Sequence, residues 1–204
     1  MYSSIKHFLD FIFAIFLFIL FIPIYLAVIF LLKIYTGEDI FFKHIRIGEN
    51  GKEFYLYKFR TMKKNKDKIL KEYIGNNPEA YLEWESNRKL KNDPRITKIG
   101  YFLRDFSLDE IPQILNIIKG DMSFVGPRPD VPGYADKLND TDKSIILSVR
   151  PGITGPATLK YRNEEKILSM KNDPIKYNNE IIYPDKVIIN KNYIENWSLT
   201  KDLK

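Results

Sequence analysis

The segment SLDEIPQILNIIKGDMSFVGPRP, residues 107–129, passes from helix to strand to stiff loop, and that alternation decides the fold class. Ser107-Leu108-Asp109-Glu110 has the Ser-x-x-Glu form of a capping box, and Ile111, Ile114, Leu115 and Ile118 continue it as an amphipathic helix ending at Gly120. Met122 to Val125 reads as a short strand, and Gly126-Pro127-Arg128-Pro129 as a loop whose proline φ angles are fixed. Asp109 and Glu110 are thereby expected in a first helical turn. There the positive end of the dipole keeps a carboxylate ionised, able to attack or to hold a cation. The bland reading is a plain cap, which accounts for Glu110 by itself.

Upstream, Asp93-Pro94 opens an element in which Ile96, Ile99, Phe102 and Leu103 mark a helical face. Downstream, Arg150-Pro151-Gly152-Ile153-Thr154-Gly155 repeats the ingredients of the 126–129 loop, an arginine beside proline with glycines close by. Arginines in such loops suit bidentate phosphate recognition, and equally a salt bridge inside a turn. Asp39 to Phe42 and Glu53 to Phe59 are rich in aromatic and β-branched residues, and Asn50-Gly51 between them predicts a hairpin. On the second strand Lys58 and Arg60 share a face. Residues 63–92 are charged and helix-compatible. Their Tyr73, Tyr81, Leu82 and Trp84 suit an aromatic stripe toward the core better than a helix at a membrane interface. The tail from Pro174 shows no pattern.

Further outward lies the apolar end. Phe11 to Leu32 is a run of 22 residues without a charge, in a chain whose mean hydropathy is only -0.27. It is long enough for a membrane helix, and no small-residue cleavage site follows it. Pro23 interrupts the run: the 12 residues before it rise about 18 Å and the nine after it about 14 Å, against a hydrocarbon core of about 30 Å. A sharp bend makes a re-entrant hairpin and a gentle one a span; the residues alone leave both open. From Lys52 to Glu72 eight Lys/Arg face three acids, which accounts for +5 of the chain's +6 and puts the domain on the cytoplasmic, anionic side of a membrane. Nucleic-acid binding, the other reading of a pI near 9.2, ranks behind lipid for a chain tethered this way.

The whole chain has 204 residues, no cysteine and two histidines, His7 and His44. It holds one globular domain beyond the apolar end, without disulfides or thiolate chemistry, and a histidine cluster or Ser-His-Asp triad is not expected. What remains is carboxylates, arginines, lysines and hydroxyls beside a lipid anchor, a set suited to phosphate chemistry at a membrane surface.

The ordered motifs Lys58-Phe59-Arg60-Thr61-Met62, Ser107-Leu108-Asp109-Glu110, Lys119-Gly120-Asp121-Met122-Ser123, Gly126-Pro127-Arg128-Pro129 and Arg150-Pro151-Gly152-Ile153-Thr154-Gly155, behind an apolar segment, resemble those of the bacterial sugar transferases, the monotopic phosphoglycosyl transferases. The resemblance covers residues 5–165. It implies an α/β chain, a small mixed α+β catalytic domain over 36–204 with interfacial helices, behind a re-entrant membrane helix over 1–35 broken at Pro23. It implies transfer of a sugar 1-phosphate from a UDP-sugar to undecaprenyl phosphate, with release of UMP, in the initiating step of glycan assembly at the bacterial inner membrane. It implies Asp109 as nucleophile and Mg²⁺ ligand, Glu110 as its catalytic partner, and Lys58, Arg60, Arg104, Arg128 and Arg150 as substrate-binding groups. Anionic lipids are the further partner expected; a non-catalytic basic adaptor at the membrane surface is the alternative. Two departures stand out: Ile22 occupies the place before the anchor proline where relatives often have serine, and Gly133 the place of a frequent glutamate, with Asp130 and Asp136 as the nearby acids. The chain also looks like a minimal catalytic version, ending soon after Trp197.

Overall fold

The computed structural model describes residues 2–37 and 39–203. Its first two helices, α1 (Tyr2–Leu20) and α2 (Ile22–Thr36), meet at a bend of 58°. Pro23 causes the break, because it offers no N–H to the carbonyl of Ile19 and its ring crowds the preceding turn. Among the described residues no single helix is long and apolar enough to cross a membrane, and this bent pair passes only when taken together. One stripe of the pair is buried. Ala14 packs with Ile114, Ile117 and Met122, while Tyr25, Val28 and Leu32 pack with Phe59 and Leu103. Phe8, Phe16, Ile19, Leu26 and Phe30 project outward from it.

Then come strands β1 (Phe41–Ile47) and β2 (Glu53–Phe59), antiparallel, with Phe42 opposite Lys58 and His44 opposite Leu56. The expected hairpin forms, with its first strand lying later than the Asp39–Phe42 expected. Asn50 and Gly51 both take left-handed φ, 57° and 75°, as a hairpin turn of this hand requires. The 63–92 segment is two helices, α3 (Lys66–Asn76) and α4 (Pro78–Asn87), separated where Pro78 starts afresh. Its aromatic stripe does not reach the core as expected. Tyr81 and Leu82 stay exposed, and Trp84 packs beneath the Arg95 guanidinium, 4.9 Å away.

Helix α5 (Lys98–Asp105) is capped by Thr97, whose hydroxyl accepts from the Gly100 amide, and it buries Leu103. The helix expected from Ser107 onward is different in kind. Leu108–Gln113 is a 3₁₀ turn, and only Ile114–Lys119 (α6) is α-helical, ended by Gly120 at φ 84°. Ser107 itself sits at φ 55° and its hydroxyl caps nothing, so the capping box is absent. Pro112 is the reason: it cannot donate to the carbonyl of Leu108, and the chain tightens instead. Asn116, fully buried, docks α6 onto β2, donating to the Tyr55 carbonyl and accepting from the Tyr57 amide.

Strand β3 (Ser123–Val125) pairs in parallel with β4 (Gly152–Thr154), beyond α7 (Asp140–Ile146). The two glycine loops touch backbone to backbone: a Cβ on Gly152 would lie 2.2 Å from the Gly126 nitrogen, and one on Gly155 2.2 Å from the Gly126 carbonyl oxygen. The remainder, α8 (Pro156–Lys160), α9 (Glu164–Ser169), α10 (Pro174–Tyr177), α11 (Tyr183–Glu195) and α12 (Leu199–Asp202), is helical, so the patternless tail is ordered. Its end returns to the beginning. Asp202 takes Lys6 at 2.5 Å and the Tyr193 hydroxyl at 2.6 Å, while Asp10 accepts from the Ser123 hydroxyl at 2.6 Å. The chain is thus mixed α/β, mostly helical with two small sheets.

Candidate active site

The inner faces of β1 and β2 build one wall of a cleft of about 450 Å³, where Phe42, His44, Arg46, Leu56 and Lys58 follow one another at strand spacing. Its floor is the 3₁₀ turn, which presents Asp109 and Glu110. The third side is made by α5. Gly100 lets that helix approach so closely that a Cβ there would lie 2.2 Å from the Thr61 carbonyl oxygen. One turn later Arg104 donates from Nε to the Thr61 hydroxyl at 2.9 Å.

Lys58 is the hub of the charges. Its Nζ lies 2.6 Å from Glu110 Oε1 and 3.7 Å from Asp109 Oδ2. Glu110 Oε1 also accepts from Arg128 Nη2 at 3.0 Å. The two neighbouring carboxyls are driven apart by this. Burial pushes Asp109 above its usual range, the pull of Lys58 being insufficient and Glu110 adding to the rise. Burial pushes Glu110 the same way, but Lys58 and Arg128 overcome it and leave this carboxyl below its ordinary value. The helix dipole expected at Asp109 is absent, because no α-helix starts there, and desolvation raises its pKa instead.

Of the residues singled out in the sequence, Asp109, Glu110, Lys58, Arg60 and Arg104 line one cleft, and Arg128 reaches it through Glu110. Arg60 lies past the end of β2, donating from Nε to the Asp39 carbonyl at 2.8 Å. Arg150 is elsewhere. It stacks over Gly120 and faces Glu49, Nε to Oε2 3.6 Å, and does not line the cleft. Of the two acids after the Pro-Arg-Pro loop, Asp136 pairs with Lys143 at the surface, whereas Asp130 lines a second cavity beside the first. Gly133 stands at φ 81°, a backbone state that a glutamate there would strain.

Several cleft residues were not among the site residues expected from the sequence: Arg46, His44, Thr61 and the run Lys63, Lys64 and Lys66. The two-residue period of Phe42, His44 and Arg46 was the available signal, hidden because the strand was expected to end at Phe42.

No group of three or more His, Cys, Asp or Glu side chains is placed to hold a metal among the described residues. Two adjacent carboxylates, completed by phosphate oxygens and water, are nevertheless a donor set that suits magnesium, which seldom takes an all-protein cage.

The bacterial sugar transferase family matches this chain over residues 1–204. The chain is 43% identical over 181 residues to the exopolysaccharide production protein ExoY of Sinorhizobium fredii, a match covering 89% of this chain and 73% of that one. It is 41% identical to the undecaprenyl-phosphate galactose phosphotransferase of Salmonella typhimurium over 82% of this chain and 32% of the other. With the UDP-glucose:undecaprenyl-phosphate glucose-1-phosphate transferase of Escherichia coli it shares 30% identity over 96% of this chain and 37% of the other. With the family matched over residues 1–204 and a relative at 43% identity, the chain belongs to the bacterial sugar transferase family.

Proposed function

We propose that this enzyme moves a sugar 1-phosphate from a UDP-sugar to undecaprenyl phosphate, releasing UMP and opening the assembly of a lipid-linked glycan. The observation that carries the reading is Asp109, 8% exposed, at the floor of a cleft whose walls supply Lys58, Arg60 and Arg104. The names of the galactose and glucose transferases it resembles support the acceptor and the donor class.

In the proposed reaction an Asp109 carboxylate oxygen forms a bond to the β-phosphorus of the donor as the bond to the bridging oxygen breaks. UMP departs with that oxygen, and a phosphosugar remains on Asp109. A phosphate oxygen of undecaprenyl phosphate then attacks the same phosphorus, frees the carboxylate and leaves a lipid diphosphate sugar. An anionic nucleophile needs no general base, consistent with a dyad that contains no histidine. Lys58 and Arg104 offset charge on the diphosphate, and Glu110, fixed by Lys58 and Arg128, holds Lys58 beside Asp109. Asp109 would hold the proposed cofactor, Mg²⁺, which would supply charge neutralisation when bound.

The same reading places α1 and α2 as a re-entrant element in the inner membrane, with the domain on the cytoplasmic side. Support comes from both ends of the bent pair being tied to one body. Lys6 is bound to Asp202, and Leu32 is packed with Leu103. The outward faces of the pair, with Phe102 and Phe106 of the α5 end, are apolar, and Lys63, Lys64 and Lys66 at the cleft suit anionic headgroups. The test is UMP release from a panel of UDP-sugars by protein in nanodiscs containing undecaprenyl phosphate, with intact-mass detection of a phosphosugar adduct when the acceptor is withheld. An adduct absent from Asp109 while product accumulates would overturn the mechanism. Anionic-lipid binding with no UMP formed from any donor would favour an adaptor instead.

A further inference from the structure

A second cavity of about 470 Å³ adjoins the dyad cleft: Arg46 lines both, and Arg128 on its wall donates to Glu110 in the first. Its size lies within the range of small-molecule sites, about 300–1,000 Å³. Tyr134 and Tyr183 stand edge to face in it, ring centroids 4.8 Å apart, and the Tyr183 hydroxyl reaches Asp130 Oδ2 at 3.4 Å. Two buried polar atoms of residues on its lining have no hydrogen-bond partner among the described residues. They are a donor, Arg46 Nε, and an acceptor, Asn190 Oδ1. Buried polar groups are ordinarily satisfied, so side chains left with an unpaired donor and an unpaired acceptor on one lining, beside the Asp130 carboxylate, suit a polar ligand.

Stereochemistry says which part of the substrate belongs there, given the reading of Asp109 as nucleophile on which this step rests. In-line displacement sets the attacking and leaving oxygens opposite each other on phosphorus. UMP must leave from the side opposite Asp109, and the acceptor phosphate must then enter from that same side. Nucleotide and acceptor therefore take turns in one place, and the cleft, with Arg60, Lys63, Lys64 and Arg104, supplies cations for both phosphates. The sugar lies to the side of that line and needs space of its own.

We propose that the second cavity seats the sugar of the donor, with Asp130 reading its hydroxyls, Tyr183 orienting Asp130, and an uncharged hexose as the class accepted. An aromatic pair beside a carboxylate offers an apolar ring face and a strong acceptor, which hexose C–H and O–H groups match. A uronic acid would set its carboxylate against Asp130; of the cations on the lining, Lys89, Lys186 and Arg128 are held by Glu165, Glu164 and Glu110, and Arg46 and Arg162 are the two on which its acceptance would depend.

The experiment compares wild type, Asp130→Asn and Tyr183→Phe in nanodiscs with undecaprenyl phosphate, measuring UMP release from UDP-hexoses, UDP-N-acetylhexosamines and UDP-glucuronic acid, together with inhibition by UMP. Wild type is expected to use a neutral donor and not UDP-glucuronic acid. Asp130→Asn is expected to raise KM for the preferred donor by about tenfold and to narrow the gap between donors. Tyr183→Phe should shift the ranking in the same direction by less, with the UMP inhibition constant within about twofold in both variants. A variant that loses all donors in proportion, or weakens UMP equally, would mark Asp130 as structural and sink the subsite. So would wild type preferring UDP-glucuronic acid. Should wild type release UMP from no donor, the parent reading fails and this one with it. An active wild type whose donor ranking is untouched by both variants removes the subsite alone.

Discussion

At residue 109 the proposed mechanism depends on a carboxyl whose pKa burial raises, beside one at 110 whose pKa two cations lower. The signs follow directly. If Asp109 attacks as the anion, the rate falls as pH drops through its raised value, so the acid limb of kcat/KM lies above the ordinary aspartate value of about 3.9. Lys58→Met removes the neighbour that favours the charged form. It should move that limb higher still and cut kcat by roughly 10²-fold, measured as the pH profile of UMP release. Stability runs in two directions at this dyad. Glu110, with its folded value depressed, contributes stability above its unfolded pKa and loses it as pH falls through the folded one. Asp109, with its folded value raised, is destabilising when ionised and relieved as pH falls through that value. Asp109→Asn is therefore expected to abolish turnover by at least about 10³-fold while the detergent-solubilised protein melts higher, not lower, at neutral pH. A melting temperature that falls would show that the carboxylate is an asset to the fold. That two carboxyls stand together was legible in the sequence, because Asp109 and Glu110 are neighbours in the chain. The electrostatics of the pair were not: Arg128 meets Glu110 from 18 residues away, and the desolvation of Asp109 comes from elements packed over it.

Among the elements, the hairpin turn and the break at Pro23, specified by neighbouring residues, were read correctly, and those decided by Pro112 or by distant packing were not. Asn50-Gly51 makes its hairpin because both residues tolerate positive φ, a property of the residues alone. Pro112 turns the expected α-helix into a 3₁₀ turn, and that single residue outweighs the cap and the apolar spacing around it. The tail gave no signal because α11 buries only Val187 and Tyr193, too few positions to set a period. Arg150 lies outside the cleft for another reason. Its loop looks like a phosphate loop, yet its glycines serve close packing, with Gly152 against Gly126. Gly152→Ala is thus expected to cost about 1–3 kcal/mol or more and to disturb the Pro-Arg-Pro loop that carries Arg128, read as a lower melting temperature and reduced UMP release together. For the bent pair, Pro23→Ala restores the missing donor and should straighten the break. The chain has no cysteine, so Ser4→Cys gives a single reporter. On the re-entrant reading, a membrane-impermeant maleimide labels it only from the cytoplasmic side, and Pro23→Ala brings labelling from the opposite side. Labelling from the far side without that change would show a span.

On the scale of the molecule, the first helix and the last are joined by buried charge. Lys6 lies 2.5 Å from Asp202 and 3.8 Å from Asp10; Asp10 holds Ser123 of β3, and Asp202 accepts from the Tyr193 hydroxyl and the Trp197 indole. This connection lies between the base of α1 and the strand leading into the Pro-Arg-Pro loop, so it sets how the apolar helix pair is held against the domain that carries the dyad. It was illegible in the sequence, since Lys6 and Asp202 stand 196 residues apart and neither belongs to a motif. A buried ion pair adds little against a well-packed apolar substitute, but removing one partner strands the other. Asp202→Leu should therefore destabilise by about 3–5 kcal/mol, with Lys6 left beside Asp10 alone. Lys6→Met with Asp202→Leu should recover much of that loss, because no ammonium then remains buried without its closer partner. Thermal melts of the two single variants and the double variant in one detergent give the coupling. Losses that simply add would mean that Lys6 and Asp202 do not depend on each other and that the two ends of the chain are held by apolar packing alone.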